Sequence, residues 1–227
     1  MKCVIFCGGR GTRLNEETAT KPKPLIKIGE MPIVEHIMRH YAFYGINDFI
    51  LLTGYKHEQF EEYFKAWRNV VCLDTGENTM TALRLWQAKK LLINEPTFCL
   101  TYGDAVSTVD LHALQVCHNS IVTITGIHPQ SQYGILLVDQ TNLIHGFQEK
   151  PLLNDWINAG YMMLNNKIWE FLDGENIPFE MVLKKLTNVH GLHLFPWINF
   201  WHSMDTLKDV EDLRSMWDKN QPWKVWT

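Results

Sequence analysis

The sequence has no excess of basic residues and no long apolar run. Its 227 residues include 21 Lys and Arg against 25 Asp and Glu, which gives a formal net charge of −4. Proteins that bind nucleic acid through its phosphates need a basic surface, so this balance argues against a nucleic-acid partner. No apolar stretch reaches the length of a membrane span, and the first residues lack the apolar core of a signal peptide. We therefore expect a soluble, cytoplasmic protein without a membrane partner.

The cysteines show no pairing pattern. The five are Cys3, Cys7, Cys72, Cys99 and Cys117. Most lie inside apolar runs, which is typical of reduced, buried thiols. No Cys-x-x-Cys pair or Cys/His cluster has the spacing of a zinc site. The hydrophobic fraction of 46% is ample for a core. Since no linker or repeat divides the chain, we predict one α/β domain over residues 1–227.

The first half of the chain alternates between strand and helix patterns. Strand patterns cover residues 3–6, 48–54, 70–73 and 98–102, and helical spacing covers residues 32–44, 58–67 and 80–92. This alternation with short connections predicts a parallel sheet covered on both faces. Ligands of such sheets bind beyond the carboxyl ends of the strands.

The second half is richer in strand patterns. We predict strands at residues 121–127, 134–138, 143–147, 160–164 and 193–195, and helices at residues 168–172, 179–186 and 206–217. His36 and His40 share a helix face in the first half without an acidic partner at metal spacing, and we predict structural roles for both.

The most informative segment follows the first predicted strand. Gly8-Gly9-Arg10-Gly11-Thr12-Arg13 comes directly after it, and Lys21-Pro22-Lys23-Pro24 follows shortly. Glycines let backbone N–H groups approach an anion closely, because no Cβ stands in the way, and the neighbouring cations add positive charge. The pattern is neither the dinucleotide fingerprint nor the P-loop. It favours a loop that binds the polyphosphate of a nucleoside triphosphate.

Two aspartates stand far apart in the sequence. Asp104 follows the strand end Tyr102-Gly103, and Asp205 lies in the segment Ser203-Met204-Asp205-Thr206. Mg²⁺ takes one or two protein carboxylates together with phosphate oxygens and waters. Beside a phosphate-binding loop, these two carboxylates predict a Mg²⁺ site.

A further group of polar residues indicates an acceptor site. Glu149 and Lys150 end a predicted strand before Pro151, and Asn158 follows soon after. By themselves such residues are also typical of a solvated turn. We interpret Lys150 as a ligand of a substrate phosphate and Glu149 and Asn158 as partners of hydroxyl groups. Trp201, close to Asp205 in sequence, is expected to form a wall of this pocket.

Together these motifs resemble those of the sugar-phosphate nucleotidyltransferases. The N-terminal signature of that family is similar to residues 8–14 followed by residues 21–24. The similarity continues in order along nearly the whole chain, and it is greatest to the cytidylyltransferases that act on glucose 1-phosphate. It is carried by residues 74–81, 102–104, 147–151, 157–158, 200–206 and 222–226.

The resemblance implies a fold and an activity. The fold would be a Rossmann-like three-layer α/β/α nucleotidyltransferase fold with a mostly parallel central sheet and a small strand-rich substrate subregion. Residues 1–118 would mainly bind the nucleotide, and residues 119–227 would mainly bind the acceptor and supply a C-terminal helix. The implied activity transfers a cytidylyl group from CTP to a sugar 1-phosphate, with Mg²⁺ as cofactor, and gives a CDP-sugar and pyrophosphate. A homo-oligomer is expected.

The resemblance also implies site residues. Nucleotide contacts would come from Phe6, Gly8, Gly9, Gly11, Thr12, Arg13, Lys23, Thr81, Arg84 and Gly103, with Arg84 helping to select cytosine. The acceptor would be held by Tyr102, Glu149, Lys150, Asn158 and Trp201. Asp104 and Asp205 would bind Mg²⁺. The catalytic charges would be those of Arg13, Lys23, Asp104 and Lys150.

The chain departs from the family pattern in places. Between Phe64 and Val70 it passes quickly from helix to strand, where the family has a longer segment that contributes to subunit packing. Ala82-Leu83 stands where a glycine pair is usual. These differences leave open a different phosphorylated acceptor, UTP or dTTP as the donor, or a catalytically silent nucleotide-binding module.

Overall fold

The computed structural model describes residues 1–226, apart from the side chains of residues 15 and 16. The strands are β1 (Lys2–Phe6), β2 (Lys27–Ile28), β3 (Met31–Pro32), β4 (Asp48–Thr53), β5 (Val70–Asp74), β6 (Thr97–Tyr102), β7 (Ala105–Ser107), β8 (Val122–Ile127), β9 (Ile135–Val138), β10 (Ile144–Gln148), β11 (Ile157–Asn165), β12 (Leu192–Pro196) and β13 (Trp201–Ser203). The α-helices are α1 (Asn15–Thr20), α2 (Ile33–Phe43), α3 (His57–Phe64), α4 (Thr81–Gln87), α5 (Lys89–Leu92), α6 (Leu111–Cys117), α7 (Phe179–Thr187) and α8 (Leu207–Lys219). Short 3₁₀ turns cover Thr12–Leu14, Lys23–Leu25 and Asn166–Glu170.

Seven strands form the central sheet in the order β12-β8-β11-β6-β1-β4-β5. β1 runs parallel to β4 and β6, β4 to β5, and β8 to β12. β11 is antiparallel to both of its neighbours, β6 and β8. The prediction of a mostly parallel sheet is therefore confirmed.

Helices cover both faces of the sheet. Within β1, Cys3 and Ile5 pack into one hydrophobic cluster, and Val4 and Phe6 pack into another, because successive side chains of a strand point to opposite faces. The first cluster includes residues of α2, α3, α6 and α8, and the second includes residues of α4, α5 and α7. This is the predicted three-layer α/β/α arrangement.

Two further strand pairs form small sheets of their own, separate from the central sheet. β9 and β10 form an antiparallel hairpin whose side chains are exposed or half-buried. β7 pairs with β13, which sets Ser203 opposite Ala105. The second pairing matters most for the site, because it brings residues more than ninety positions apart in the chain to one edge.

Several elements differ from the sequence-based expectation. The predicted helix over residues 80–92 is two helices, because the backbone turns at Ala88 between α4 and α5. The predicted helix at residues 168–172 is instead the 3₁₀ turn at Asn166–Glu170. β11 begins at Ile157 rather than at residue 160. Across residues 1–226, none of the helices has the length and apolar character needed to traverse a bilayer.

Candidate active site

The glycine loop lies at the carboxyl edge of the sheet, between β1 and the turn at Thr12–Leu14. The Cys7 backbone N–H donates to the Leu52 carbonyl at 2.9 Å, which extends the β1–β4 pairing into the loop. Gly11 has a φ of 63°, and a Cβ there would lie 3.0 Å from the Cβ of Lys23. The loop therefore needs glycine at this position both for its backbone angle and for its approach to Lys23.

A cavity of about 350 Å³ opens beside this loop. It is lined by Phe6, Cys7, Gly8, Gly9, Gly11, Lys23, Pro24, Thr79, Met80, Thr81, Arg84, Tyr102, Gly103, Asp104 and Pro178. Thr12 and Arg13 line a smaller neighbouring cavity together with Gly11, Lys23 and Asp205. The structure thus brings together every residue for which the resemblance implied a nucleotide contact.

Lys23 joins the two aspartates. Its Nζ lies 2.7 Å from Asp104 Oδ2 and 2.9 Å from Asp205 Oδ1. Both carboxylates therefore converge on one nitrogen, although they stand 101 positions apart in the sequence. Arg13 Nη1 lies 3.5 Å from the same Asp205 oxygen, so two cations face this pair of carboxylates.

Backbone bonds fix Asp205 at this point. The Met204 N–H donates to the Asp104 carbonyl at 2.8 Å, which continues the β7–β13 pairing. The Asp205 N–H donates to Asp209 Oδ2 at 3.0 Å, and Asp209 also forms a capping box with Thr206 at the start of α8. The start of a helix and the end of a strand pair therefore set the carboxylate's position.

The cluster also shifts the ionisation of its members. Burial by itself would lower the pKa of Lys23, but the Asp104 and Asp205 carboxylates outweigh it and raise that pKa above its ordinary value. Burial would raise the pKa of Asp205, but Lys23, Ser203 and Arg13 together lower it. Both groups are therefore charged at neutral pH.

The two carboxylates fit a divalent metal ion. Their side chains are about a third exposed, and carboxylate oxygens are the ligands that hard cations such as Mg²⁺ and Ca²⁺ prefer. Among the side chains that the structure describes, no cluster of three or more His, Cys, Asp or Glu could hold a metal by itself. Two carboxylates leave coordination positions for ligands from a substrate.

Aromatic rings form one wall of the cavity. The Phe6 ring lies 5.6 Å from the Tyr102 ring and 6.1 Å from the Phe179 ring, measured between centroids. Thr81 Oγ1 accepts the Phe179 N–H at 2.7 Å, so the start of α4 is tied to the start of α7. The Tyr102 hydroxyl donates to Glu180 Oε1. Burial and this carboxylate both raise the pKa of Tyr102, which is therefore neutral.

The predicted acceptor residues are only partly assembled. Trp201 Nε1 donates to the Ala159 carbonyl at 2.8 Å. The Asn158 side chain accepts the Gly160 N–H at 2.8 Å, so its carboxamide oxygen is already used in the fold. Glu149 and Lys150 are exposed at the end of the β9–β10 hairpin, where the Lys150 carbonyl accepts from Gln130 Nε2 at 3.0 Å. Neither residue lines the cavity at the glycine loop.

A second cavity of about 500 Å³ lies next to Trp201. It is lined by Ile127, His128, Pro129, Gln130, Leu152, Trp197, Ile198, Asn199, Phe200, Trp201, His202, Ser203 and Asp209. The sequence analysis identified only Trp201 in this set. Phe200, His202 and Ser203 lie in the segment 200–206 that carries the family resemblance, but the resemblance implied no site role for them. The remaining residues belong to no motif, so only their position in the fold reveals them. In the first cavity, Thr79 and Met80 lie in the segment 74–81 that also carries the resemblance, and Pro178 belongs to no motif.

The chain belongs to the Nucleotidyl transferase family, whose profile matches residues 2–188. A glucose-1-phosphate cytidylyltransferase of Salmonella typhi is 35% identical over 258 aligned positions, which cover the full length of both chains. The enzyme of the same name from Salmonella typhimurium strain LT2 is also 35% identical over the full length of both chains. The predicted family and enzyme class are thereby confirmed. Members of this family generally use a divalent metal ion.

Solved structures share the fold. HddC from Yersinia pseudotuberculosis, in complex with GMP-PN, superposes with a TM-score of 0.75 at 22% identity, covering 94% of this chain and 98% of that one. The CTP:phosphocholine cytidylyltransferase LicC from Streptococcus pneumoniae gives a TM-score of 0.71 at 19% identity, covering 95% of this chain and 98% of that one. Since these identities are low, the likeness concerns the fold alone.

Proposed function

We propose that this protein transfers the cytidylyl group of CTP to glucose 1-phosphate and releases pyrophosphate. The observation that carries the proposal is the convergence of Asp104 and Asp205 on Lys23, directly beside the glycine loop. Such a cluster suits a polyphosphate with a bound metal ion. The names of the full-length relatives from Salmonella support CTP as the donor and glucose 1-phosphate as the acceptor.

The triphosphate would bind between the glycine loop and Lys23. Backbone N–H groups of residues 8–12 would face its oxygens, and the Arg13 and Lys23 side chains would neutralise their charge. The base would lie in the cavity between the Phe6–Tyr102 wall and Thr81. Every residue of the predicted nucleotide set lines this cavity or the smaller one beside it, which supports the proposal.

Asp104 and Asp205 would hold Mg²⁺. When bound, the ion would neutralise charge on the phosphates and orient their oxygens. In the structure Lys23 already lies between the two carboxylates, so the same lysine is within reach of the phosphates that the ion would contact.

The reaction needs little covalent help from the protein. An oxygen of the acceptor phosphate is anionic at neutral pH, so no general base is required. It attacks the α-phosphorus of CTP and forms a new P–O bond, while the bond from that phosphorus to the bridging oxygen breaks and pyrophosphate leaves. The protein's contribution is then positioning and charge neutralisation by Lys23, Arg13 and Lys150.

The acceptor would bind on the Trp201 side of the carboxylates. Trp201 donates to the Ala159 carbonyl, and a Cβ on the next residue, Gly160, would lie 2.8 Å from the ring of Tyr102, which ends the strand before Asp104. Lys150 would bind the acceptor phosphate and Glu149 a hydroxyl group; the exposed β9–β10 hairpin would have to carry both toward the site. The size and aromatic lining of the 500 Å³ cavity also suit another phosphorylated acceptor, which is the alternative that we keep.

A release assay tests the proposal. Pyrophosphate is measured for each of CTP, UTP, dTTP and GTP with glucose 1-phosphate, other sugar 1-phosphates and phosphocholine, with Mg²⁺ present. We expect release with CTP and glucose 1-phosphate. Release with CTP and a different acceptor would support the alternative. Release with UTP or dTTP alone would contradict the choice of base, and no release with any pair would favour a silent nucleotide-binding module.

The family resemblance also supports a proposal for the assembly and location of the protein. We infer a cytoplasmic homo-oligomer from the family resemblance. The alignment with the Salmonella typhi enzyme runs over 258 positions against 227 residues here, so this chain lacks residues that the relative has. Light scattering of the purified protein tests the oligomer, and a purely monomeric mass would contradict it.

A further inference from the structure

Arg10 belongs to the glycine loop, but the family resemblance implied no contact for it. The residue stands between Gly9 and Gly11. Its Nη2 lies 3.1 Å from Oε1 of Glu77, in the loop after β5. The Arg10 side chain makes no other hydrogen bond or ion pair with the residues that the structure describes. One carboxylate therefore holds this cation in the empty protein.

The pair lies between two segments that line the cavity at the glycine loop. Gly9 and Gly11, the neighbours of Arg10 on either side, line this cavity, and so do residues 79–81, shortly after Glu77. Neither Arg10 nor Glu77 is itself part of the lining. Because both flanking glycines line the cavity, the long Arg10 side chain starts at its rim and can reach an anion that is bound there.

The ion pair is too exposed to contribute much to the stability of the fold. The Arg10 side chain is 56% exposed, and that of Glu77 is 40% exposed. Exposed ion pairs are screened by water and salt, and they restrict two long side chains. The guanidinium also has five N–H donors, which is more than one carboxylate oxygen can use. Arg10 can therefore exchange Glu77 for a stronger anionic partner.

The charges of the site leave a need for such a cation. Arg13 and Lys23 carry two positive charges, and Asp104 and Asp205 carry two negative charges, so this cluster is neutral as a whole. A nucleoside triphosphate carries more negative charge than a single Mg²⁺ offsets. One more positive charge beside the loop would therefore strengthen its binding.

We infer that Arg10 is a further phosphate-binding residue, and that Glu77 restrains it in the empty protein until a triphosphate takes the guanidinium over. This inference rests on the proposed function, since it assumes that the glycine loop binds a nucleoside triphosphate. It adds one residue that contacts the substrate and one that opposes this contact.

The test compares two changes that break the same ion pair. The affinity for CTP is measured by calorimetry with Mg²⁺ present. Arg10→Met should weaken binding by about fivefold or more, because a charge-assisted bond to a phosphate is lost. Glu77→Gln should tighten binding by about two- to fivefold, because Arg10 no longer has to leave a carboxylate. If the pair only shaped the loop, both changes would weaken binding, and that result or an unchanged affinity in either variant would overturn the inference.

The protein with both changes shows whether Glu77 acts through Arg10. In the Arg10→Met background, Glu77→Gln should change the CTP affinity by less than about 1.5-fold, because the cation that the carboxylate restrains is gone. An equal gain in the two backgrounds would mean that Glu77 repels the phosphates directly, and it would overturn the inference.

Tripolyphosphate, which has the phosphates but no base, locates the contact. Arg10→Met should weaken its binding by the same factor as that of CTP, to within about twofold. A loss confined to CTP would place Arg10 against the base or the ribose and would overturn the inference.

Lys65→Met and Glu62→Gln are the matched controls, because these two residues form another exposed ion pair, at the end of α3. Neither change should alter the affinity for CTP, and effects as large as those at Arg10 and Glu77 would overturn the inference. Failure of the proposed function looks different. Pyrophosphate release with UTP or dTTP alone, or with no pair of substrates, would contradict that function, whereas the opposite effects of Arg10→Met and Glu77→Gln could still be measured with tripolyphosphate.

Discussion

At the scale of single residues, the site is a set of charges held at short distances. The sequence predicted that Asp104 and Asp205 act together, and the structure brings both to Lys23. The sequence could not predict that Lys23, a lysine beside the glycine loop, lies between the two carboxylates. That contact depends on the pairing of β7 with β13, two strands of three residues each that leave no periodic signal in the sequence.

The Asp104 carboxylate should be indispensable for turnover. Asp104→Asn keeps the size of the side chain and removes its charge, so it should lower kcat by at least about two orders of magnitude, as loss of a key electrostatic group does. Steady-state pyrophosphate release at saturating Mg²⁺ measures the effect. Asp218→Asn makes the same chemical change on the exposed end of α8 and should leave kcat unchanged. Near-normal turnover in Asp104→Asn would refute its role.

Removal of Lys23 should make the fold depend more on metal. In Lys23→Met the two carboxylates face one another without their shared cation, so the free energy of unfolding without metal should fall by on the order of 1 kcal/mol, given their partial exposure. Added Mg²⁺ should then raise the unfolding temperature of the variant more than that of the wild type, because it replaces the lost positive charge. Lys65→Met, at an exposed surface pair, is the matched control. An equal Mg²⁺ response in all three proteins would count against a metal site between these aspartates.

At the scale of elements, most strands with an apolar run and most helices with helical apolar spacing were predicted, and elements without such a pattern were not. The strands at β4, β5, β6 and β12 and the helices α2, α7 and α8 match their predicted positions to within a few residues. α6 was missed because it has only seven residues, of which Leu111 and Leu114 are buried, too few to show helical spacing. β11 was predicted too short because Ile157 and Asn158, at its start, are exposed and lack the apolar run that follows.

The prediction of structural roles for the two histidines of α2 fits their surroundings, although it remains a prediction. His36 Nε2 lies 2.9 Å from the Ile28 carbonyl, and Trp223 Nε1 donates to His36 Nδ1 at 3.2 Å, which requires the neutral ring. Burial lowers the pKa of His36 to about 4, and burial likewise lowers the pKa of His40 to about 4. α2 is thereby joined to the C-terminal segment through an uncharged imidazole.

The burial of His36 and His40 in their neutral form should make the stability of the fold depend on pH. Between about pH 6.5 and pH 4 the unfolded chain binds a proton at each of these histidines and the folded chain does not, so the free energy of unfolding should decrease as the pH falls through this range. Each histidine contributes a slope of about 1.4 kcal/mol per pH unit. Urea unfolding at pH steps from 7 to 4 should show that the free energy of unfolding falls less steeply with pH in His36→Leu than in the wild type, by about 1.4 kcal/mol per pH unit. Identical slopes for the wild type and His36→Leu would show that this ring is not buried in its neutral form.

At the scale of the whole molecule, the family profile ends at residue 188, but the fold does not. Asp205, α8 and Trp223 all lie beyond that point, and Trp223 is 1% exposed within the same cluster as Ile33, Ile37 and Tyr41 of α2. The sequence analysis recognised the closing aromatic segment as part of the resemblance. It could not predict that this segment packs against α2 of the nucleotide half, because nothing in the local pattern identifies the partner.

A chain that ends at Gln221 should therefore be less stable as a whole. It loses Trp223 from the core. It also loses the Trp226 ring, whose centroid lies 6.1 Å from that of the His36 ring. Removal of a buried tryptophan costs about 3–5 kcal/mol, so the midpoint of urea unfolding should fall markedly. Trp86→Ala removes a tryptophan that is 40% exposed and should cost much less.

Because α8 carries the capping box that holds Asp205, the shortened chain should also need more Mg²⁺ for half-maximal pyrophosphate release. A shortened chain with wild-type stability and metal dependence would mean that the closing segment contributes neither to the core nor to the site.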